Sequence, residues 1–425
     1  MALPTTPRAA ADRSGPRRIL LVDADAFFVA VARMVDPHVA GRAALLIVGG
    51  GGARGVVCSA SYEARQYGVR SAMPTARALR LCPEATVVPV PMGACRRVSR
   101  EISAVLARFA PVVQAASIDE WYLDLTGTEA LYKHAPLAEV AHTIRDAVRG
   151  ETRLTVSLGG GTNRLVAKLA VERAKPKPGT TANGVHVVAP GEEGRFLETV
   201  ALADIPMIGP RFRESLESKG LRTVPDVLAF DRPSLTRLLG ERAAEWLSGR
   251  VRGIDASEVH TRDLAKSVSH EETFATDLSS DDEMERELVD LVRRVAHDLR
   301  RHGLMARTIT LKLRDRDFRT RRASRTLGAP VLSDRVILAT ARALFGRLRR
   351  ARRVPARLLG VALSGLEETD ADTQLSLFVA EPAADVESTR DRALSRAIDA
   401  VRSRYGAEAV VPGRLTRAPA ARRQR

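Results

Sequence analysis

Residues 18–28 read RILLVDADAFF, and they predict the strand around which the first half of the chain is built. The apolar run that ends at Val22 is typical of a short buried strand. Asp23 and Asp25 follow it two positions apart, so alternation along a strand would direct both side chains to one face. Acidic groups at the end of a buried strand are costly unless they are paired or bind a cation. The stretch therefore predicts a strand with a polar site at its end.

A second acidic pair, Asp119 and Glu120, lies in a predicted turn between two short strands within residues 112–125. Carboxylates that converge from two strand ends are the oxygen ligands that Mg²⁺ prefers, and Mg²⁺ leaves room for substrate phosphates. Two such ions can clamp the attacking and leaving oxygens of a phosphoryl transfer. The alternative interpretation is that each acidic pair only keeps a strand end soluble.

Basic side chains on two predicted helices suit a triphosphate. Tyr62 and Arg65 are three residues apart on one helix, and Lys168 and Lys175 are seven apart on another, in a chain with only seven lysines. A guanidinium fork and a compact ammonium are complementary phosphate ligands. Ordinary solvent-facing helix charge is the alternative for each residue taken alone.

Length and composition exclude several classes of protein. The chain has 425 residues and 45% hydrophobic residues, which is typical of a globular protein of several domains. No apolar run reaches the ~18–20 residues that a membrane helix needs. Three cysteines without metal-type spacing argue against a disulfide scaffold or a zinc ribbon. We therefore expect a protein of the reducing cytoplasm that has no membrane partner.

The positive charge is concentrated in residues 300–357. This segment holds 18 Lys or Arg against three acidic residues, whereas the whole chain has a net charge of +16. A block of like charge repels itself, and nucleic acid is its usual partner. The alternative is a solvated basic face in an Arg-rich protein.

Strand and helix patterns alternate through the first part of the chain, residues 202–253 are helical, and residues 267–366 show a βαββαβ pattern. Six segments then occur in the order found in Y-family translesion DNA polymerases, and they most resemble the bacterial DNA polymerase IV branch. They are LLVDADAFFVAV (20–31), CSASYEARQYGVRSAMP (58–74), SIDEWYLDL (117–125), TNRLVAKLAVERAKP (162–176), IPMIGP (205–210) and KSVSHEETF (266–274).

The resemblance implies an α+β multidomain, right-hand polymerase with palm, fingers, helical thumb and a βαββαβ little finger. The domains implied are a disordered leader (1–17), palm (18–26 and 92–190), fingers (27–91), thumb with a helix-hairpin-helix (191–254), linker (255–267), little finger (268–366) and tail (367–425).

The resemblance also implies roles for single residues. Asp23, Asp119 and Glu120 match the catalytic carboxylates that bind two Mg²⁺ ions, for which Mn²⁺ can substitute, and the Ala24 carbonyl is a further ligand. Asp25 matches an acidic position that is not a principal ligand. Phe28 occupies the steric-gate position that selects deoxynucleotides. The implied triphosphate contacts are Tyr62, Arg65 and Lys175.

Contacts with DNA and with a sliding clamp are implied as well. The hairpin around Ile208 and Gly209 resembles one whose backbone N–H groups bind a DNA phosphate. Arginines of the basic segment would grip the duplex backbone without reading sequence; they are Arg314, Arg316, Arg319, Arg321 and Arg322. QLSLF is similar to the bacterial clamp-binding peptide, with Gln374 as polar contact and Leu375, Leu377 and Phe378 as apolar anchors. We expect a monomer that joins the clamp.

Four positions depart from the family pattern. Trp121 replaces a small residue and is expected to crowd the palm or stack on DNA; Gly160 replaces an apolar residue. Ala72 and Met207 each replace a glycine, and the AKPKPGTTANG stretch is longer than usual.

The activity implied is low-fidelity, template-directed DNA synthesis past damage, from dNTPs onto a primer 3′-OH and without proofreading. The alternatives are a catalytically weak or inactive clamp-bound adaptor and a two-metal nucleotidyl cyclase on a similar palm. A cyclase function would not account for the helical and basic domains.

Overall fold

The structure is a computed structural model, and it describes residues 15–176, 182–261, 265–369, 387–406 and 408–415. Most of the predicted leader and all of the predicted clamp-binding peptide, residues 374–378, lie outside the described residues. The chain forms two compact units, Met1–Asp263 and Leu264–Arg425. None of the helices in the described ranges is long and apolar enough to cross a membrane.

The first unit contains a five-stranded and a three-stranded sheet, with the orders β5-β6-β1-β7-β8 and β3-β2-β4. Its strands are β1 (Ile19–Ala24), β2 (Leu46–Gly49), β3 (Val57–Ala60), β4 (Thr86–Val88), β5 (Val112–Ala115), β6 (Glu120–Asp124), β7 (Val156–Gly161) and β8 (Val185–Val187). Its helices are α1 (Phe27–Val35), α2 (Tyr62–Gln66), α3 (Thr75–Leu81), α4 (Met92–Leu106), α5 (Leu137–Thr152), α6 (Arg164–Ala174), α7 (Glu193–Glu198), α8 (Pro210–Glu217), α9 (Val224–Leu228), α10 (Arg232–Leu239) and α11 (Glu241–Val251).

Alternation along β1 divides the five-stranded sheet between two cores. Leu20 and Val22 pack with side chains of α4 and α5 on one face. Ile19 and Leu21 pack with side chains of α6 on the other face. Since successive side chains of a strand point to opposite faces, Asp23 follows Ile19 and Leu21 onto the α6 face. Asp23, near the end of β1, thus lies on the side of the sheet covered by α6, the helix that contains Lys168 and has Lys175 as its C-cap.

Trp121 lies on the opposite face of this sheet. Its side chain is 0% exposed and packs in the core formed with α4. The indole Nε1 donates a hydrogen bond to Ser103 Oγ at 2.8 Å, which satisfies its one polar group. The prediction that Trp121 stacks on DNA is therefore wrong, because a fully buried ring has no free face.

The other departures from the family pattern have local consequences. A Cβ at Gly160 would lie 2.9 Å from both Leu20 Cδ2 and Val187 Cγ2, so these neighbours fill the space of the missing side chain. Ala72 and Met207 keep left-handed backbone, with φ of 65° and 76°. The glycine conformation is therefore retained at both positions without the glycine.

The second unit has the predicted βαββαβ order around a four-stranded antiparallel sheet, β11-β10-β12-β9. Its elements are β9 (Ser267–Leu278), α12 (Asp281–Arg301), β10 (Leu304–Asp315), β11 (Thr320–Val331), α13 (Asp334–Ala351) and β12 (Ala356–Glu368), followed by α14 (Thr389–Tyr405). A continuous apolar core joins α12 and α13 to the sheet. The long amphipathic helices therefore bury their apolar faces against one sheet.

Many cations of the basic segment are neutralised by carboxylates that are distant in sequence. Arg300 bonds Asp334 and Asp399, both at 2.6 Å, and thereby holds α14 to this unit. Ion pairs are also formed by Arg307, Lys312, Arg321, Arg335, Arg342, Arg349 and Arg352. The net charge counted along the chain therefore overstates the charge that this surface presents.

Candidate active site

The two acidic pairs predicted from the sequence meet where β1 and β6 run side by side. Asp23 lies directly opposite Glu120 in the antiparallel register. The Ala24 amide donates to the Asp119 carbonyl at 2.9 Å, so the pairing continues one residue further. Because directly opposed residues share a face, Asp23 and Glu120 are neighbours. Residues almost a hundred positions apart thus form one acidic site.

Helix α6 lies close above this site because β7 contains glycines. A Cβ at Gly159 would lie 2.1 Å from Val171 N and 2.2 Å from Ala167 O, so only glycine permits this approach. Lys168 Nζ then lies 2.5 Å from Glu120 Oε1. Lys175 Nζ lies 2.8 Å from Asp23 Oδ2. Each of these two carboxylates is paired with one ammonium of the same helical segment.

The Asp23 carboxylate and the Lys175 ammonium each affect the pKa of the other. Asp23 is only 7% exposed, and burial raises the pKa of this carboxyl to about 6 against the opposing effect of Lys175. Burial alone would lower the pKa of Lys175, but the ion pair with Asp23 raises it above its ordinary value. The pair is therefore ionised at neutral pH. A proton competes for Asp23 below about pH 6.

Serine hydroxyls orient the other two acidic groups. Ser117 Oγ lies 2.5 Å from Asp119 Oδ1 in the turn before β6. Ser157 Oγ on β7 donates to Asp25 Oδ1 at 2.7 Å. Asp25 follows the end of β1, and its partner differs from those of Asp23. The assignment of Asp25 as an acidic position outside the principal ligand set stays a prediction.

Helix α2 places Tyr62 and Arg65 beside the acidic site. The helix begins after Ser61, whose side chain accepts a hydrogen bond from Ala64 N. The Arg65 guanidinium lies 5.0 Å from the centre of the Tyr62 ring, and its Nε donates to Ala60 O at 2.9 Å. Burial raises the pKa of Tyr62, as does the nearby negative charge of Asp25. The predicted triphosphate contacts therefore share one electrostatic environment with the carboxylates.

Phe28 lies in the first turn of α1, directly after β1. Its ring contacts Phe27 edge to face, with 5.4 Å between ring centres and 76° between planes. Phe27 is 2% exposed, whereas Phe28 is only partly buried. Phe27 is thus a core residue, and Phe28 retains accessible surface for another contact.

Within the described ranges, no three His, Cys, Asp or Glu side chains are arranged closely enough to hold a metal ion as they stand. Ammonium groups occupy Asp23 and Glu120 at hydrogen-bonding distance instead. The donor set still fits a hard divalent cation, because carboxylate oxygens at adjoining strand ends are its preferred ligands. Displacement of the two ammoniums would release both carboxylates for this purpose.

The predicted DNA contacts occupy two places. Ile208 is 8% exposed, so the hairpin before α8 can offer only its backbone at that position, and Gly209 is the N-cap of α8. Arg314 bonds Thr320 Oγ1 at 2.9 Å, while Arg316, Arg319 and Arg322 are exposed. Arg321 differs from these, since it pairs with the fully buried Asp315 at 2.7 Å.

Sequence reasoning did not identify the partners of the predicted catalytic carboxylates. Lys168 was recognisable as one of few lysines on an α6 face, but its pairing with Glu120 was not. Ser117 and Ser157 had no distinguishing pattern in the sequence. Their bonds to Asp119 and Asp25 depend on a tight turn and on strand pairing.

Comparison with known proteins agrees with this geometry. Residues 22–172 match the model of the impB/mucB/samB family, and residues 265–377 match that family's C-terminal domain. DNA polymerase IV of Gluconobacter oxydans is 40% identical over 355 residues, which cover 83% of this chain and 96% of the relative. DNA polymerase IV of Dehalococcoides mccartyi (strain CBDB1) is 36% identical over 402 residues, 94% of this chain and 98% of the relative.

Solved structures show the same architecture. The Y-family DNA polymerase chimera Dbh-Dpo4(243-245)-Dbh superposes with a TM-score of 0.73 at 24% identity, covering 82% of this chain and 98% of that chain. The crystal structure of DinB from Sulfolobus solfataricus gives a TM-score of 0.56 at 25% identity, with the same coverage of both chains. The predicted multidomain α+β polymerase fold is confirmed.

Fold and relatives together define a DNA-directed DNA polymerase. The chain belongs to the impB/mucB/samB family of Y-family polymerases, and its relatives at 35–40% identity are named DNA polymerase IV. Membership of this family implies translesion DNA synthesis that depends on a divalent metal ion.

Proposed function

We propose that the chain transfers nucleotides from dNTPs to a primer 3′-OH, opposite damaged template bases, by a two-metal-ion reaction without proofreading. The observation that carries this is the register pair of Asp23 and Glu120, with Asp119 adjoining it. Lys168 and Lys175 face the pair and match the charge of a triphosphate. No segment of the described residues resembles a proofreading domain, so we expect low fidelity.

The carboxylates provide the metal site. Asp23 and Asp119 would hold both Mg²⁺ ions, and Glu120 and the Ala24 carbonyl would complete the ligand set, with Mn²⁺ able to substitute. When bound, the ions polarise the α-phosphate and stabilise the attacking and leaving oxygens. The chain itself gathers the negative charge on β1 and β6. Burial of Asp23 strengthens its attraction for a cation, since screening by water is reduced.

The triphosphate would be bound by Tyr62, Arg65 and Lys175. Arg65 offers a planar fork for two phosphate oxygens, and its Nε contact with Ala60 O limits its freedom. Lys175 would leave Asp23 and bind a phosphate oxygen instead. Its partly buried ammonium would therefore keep an anionic partner throughout. Phe28 would then act as the steric gate, because its partly exposed ring can oppose a ribose 2′-OH.

DNA would be held at the hairpin before α8 and on the second unit. Backbone N–H groups near Ile208 and Gly209 suit a phosphate, and Arg314, Arg316, Arg319 and Arg322 offer cations to the duplex backbone. Arg321 supports this region through its bond to Asp315. Gln374, Leu375, Leu377 and Phe378 would bind the sliding clamp, and this part rests on the sequence alone. We propose a cytoplasmic monomer, and its described cysteines are unpaired thiols.

Primer extension tests the proposed residues. The intact chain should extend a primer on an undamaged template with Mg²⁺ and four dNTPs in short products. An Asp119→Ala/Glu120→Ala variant should lose extension while it still binds primer-template. Glu139→Ala/Asp146→Ala is the matched control, because both carboxylates are exposed on α5.

Extension by the Asp119→Ala/Glu120→Ala variant at the wild-type rate would contradict the proposed site. Binding without any extension by the intact chain, even with Mn²⁺ or clamp added, would favour the adaptor. The adaptor is disfavoured because the carboxylates, Tyr62, Arg65 and Lys175 are all present beside one another.

A further inference from the structure

The turn between β10 and β11 carries an exposed aromatic ring in an unusual backbone conformation. Phe318 has φ of 66°, and its side chain is 63% exposed. Its amide donates to Asp315 O at 2.9 Å, and Asp315 N donates to Arg319 O at 2.9 Å, which closes the turn. Glycine is the usual residue at a left-handed position of such a hairpin. A bulky side chain is strained in this backbone conformation. Because the ring is largely exposed, burial of its surface offsets little of that strain.

A buried ionic network holds this strained turn in place. The Asp315 carboxylate is 0% exposed and bonds Arg321 Nη2 and Arg352 Nη1, each at 2.7 Å. Arg352 also bonds Asp317 at 2.7 Å, and this hydrogen bond lowers the pKa of Asp317 to about 2. Both acidic residues of the turn are therefore anchored to the end of α13. Strain that the surrounding structure maintains is typical of functional positions.

The chemistry around the ring favours nucleic acid. The Arg357 guanidinium lies 4.5 Å from the ring centre and stacks on one face. Arg316, Arg319 and Arg322 are exposed and lie within four residues of Phe318 in the chain, and in the described part of the chain we find no ion pair for them. Cations alone would be enough to bind the phosphates of a duplex backbone. An exposed ring among them is the combination that binds single strands, because a base must be unstacked before it can pack on an aromatic side chain.

We propose that this turn binds single-stranded DNA, with an unpaired base stacked on Phe318 and adjoining phosphates paired with Arg316 and Arg319. The site rests on the proposed function, which supplies a template strand with an unpaired end. Besides the duplex contacts, the chain would thus have a separate site that binds an unpaired part of the template strand.

Fluorescence anisotropy with the full chain tests the site. The probes are a fluorescein-labelled 15-nucleotide oligothymidylate and a blunt duplex of the same length. Phe318→Gly should weaken oligothymidylate binding about tenfold, as expected for one lost base stack. The duplex affinity should stay unchanged. The dependence of affinity on salt should also keep its slope, since no charge is removed.

The variant also controls for folding, because glycine relieves the backbone strain and the Tm should not fall. Phe230→Ala, which removes another exposed ring in the first unit, should leave both affinities unchanged. Unchanged oligothymidylate binding by Phe318→Gly, or an equal loss for the duplex, would overturn the site. Primer extension by the intact chain is measured separately. Its absence would defeat the proposed polymerase reaction without altering the anisotropy result.

Discussion

The Lys168 ammonium lies 2.5 Å from Glu120 Oε1, so a lysine of α6 neutralises a carboxylate that we assign to metal binding. The two side chains are 27% and 26% exposed. Water therefore screens the pair, and its net stabilisation is of the order of 1 kcal/mol at most. A divalent cation would have to displace this ammonium, as it would displace Lys175 from Asp23.

Lys168→Met should make the metal easier to bind, because the ammonium no longer competes for Glu120. We expect the Mg²⁺ concentration for half-maximal primer extension to fall about two- to fivefold, which matches the small energy of an exposed pair. Titration of Mg²⁺ at saturating dNTP measures this. Lys219→Met, on an exposed lysine of the same unit, should show no change. A higher Mg²⁺ requirement in Lys168→Met would contradict the competition.

Met207→Gly and Ala72→Gly should each stabilise the chain slightly. Both residues have positive φ, and a left-handed conformation costs an L-residue about 1–2 kcal/mol. The greater freedom of glycine in the unfolded chain offsets about 0.5–1 kcal/mol of this gain. Thermal unfolding should therefore show an unchanged or higher Tm. Ala78→Gly, within α3, should lower the Tm instead, and a similar loss in Met207→Gly would refute the strain argument.

Trp121→Phe should lower stability without changing DNA binding. The substitution leaves Ser103 without its indole donor and opens space in a core where the ring is 0% exposed. We expect a loss of about 1–3 kcal/mol in the free energy of unfolding. Denaturant unfolding measures the loss, and anisotropy with primer-template measures the Kd. A tenfold weaker Kd in fully folded protein would show that Trp121 acts on DNA after all.

Asp399→Asn should destabilise the attachment of α14 in a pH-dependent way. Burial alone would raise the pKa of Asp399, but hydrogen bonds from Arg300 and His297 lower it overall. A carboxyl with a lowered folded pKa stabilises the fold above its unfolded pKa of about 3.9, and this stability is lost as the pH falls further. We expect a loss of about 1–3 kcal/mol at pH 7.

The comparison of Tm values between pH 7 and pH 3 tests the sign. The difference between wild type and Asp399→Asn should shrink below about pH 4, where the carboxyl becomes protonated in the unfolded chain while the native one still keeps its charge. Asp146→Asn, on an exposed carboxylate of α5, should show no comparable difference at pH 7. If the Tm difference between wild type and Asp399→Asn grew towards low pH, the lowered pKa of Asp399 in the folded chain would be contradicted.

Much of the fold could be predicted from local patterns. The apolar run before Asp23 forms β1, and the βαββαβ order of the second unit follows from alternating and helical periodicities. The positions of the acidic pairs at strand ends were likewise visible in the sequence. Periodicity reports which residues belong to one element, because that depends only on neighbours in the chain.

Local patterns in the chain thus predicted the elements, the order of the motifs and the residue types of the site. The partners of these residues became known only from the three-dimensional arrangement. The register of β1 against β6 brings Glu120 to Asp23 and turns Trp121 to the opposite face. Close packing of α6 on Gly159 brings Lys168 to Glu120, and the position of α14 beside the end of α12 brings Arg300 to Asp399. Such contacts join residues tens of positions apart, so they depend on strand register and packing, which no local pattern encodes.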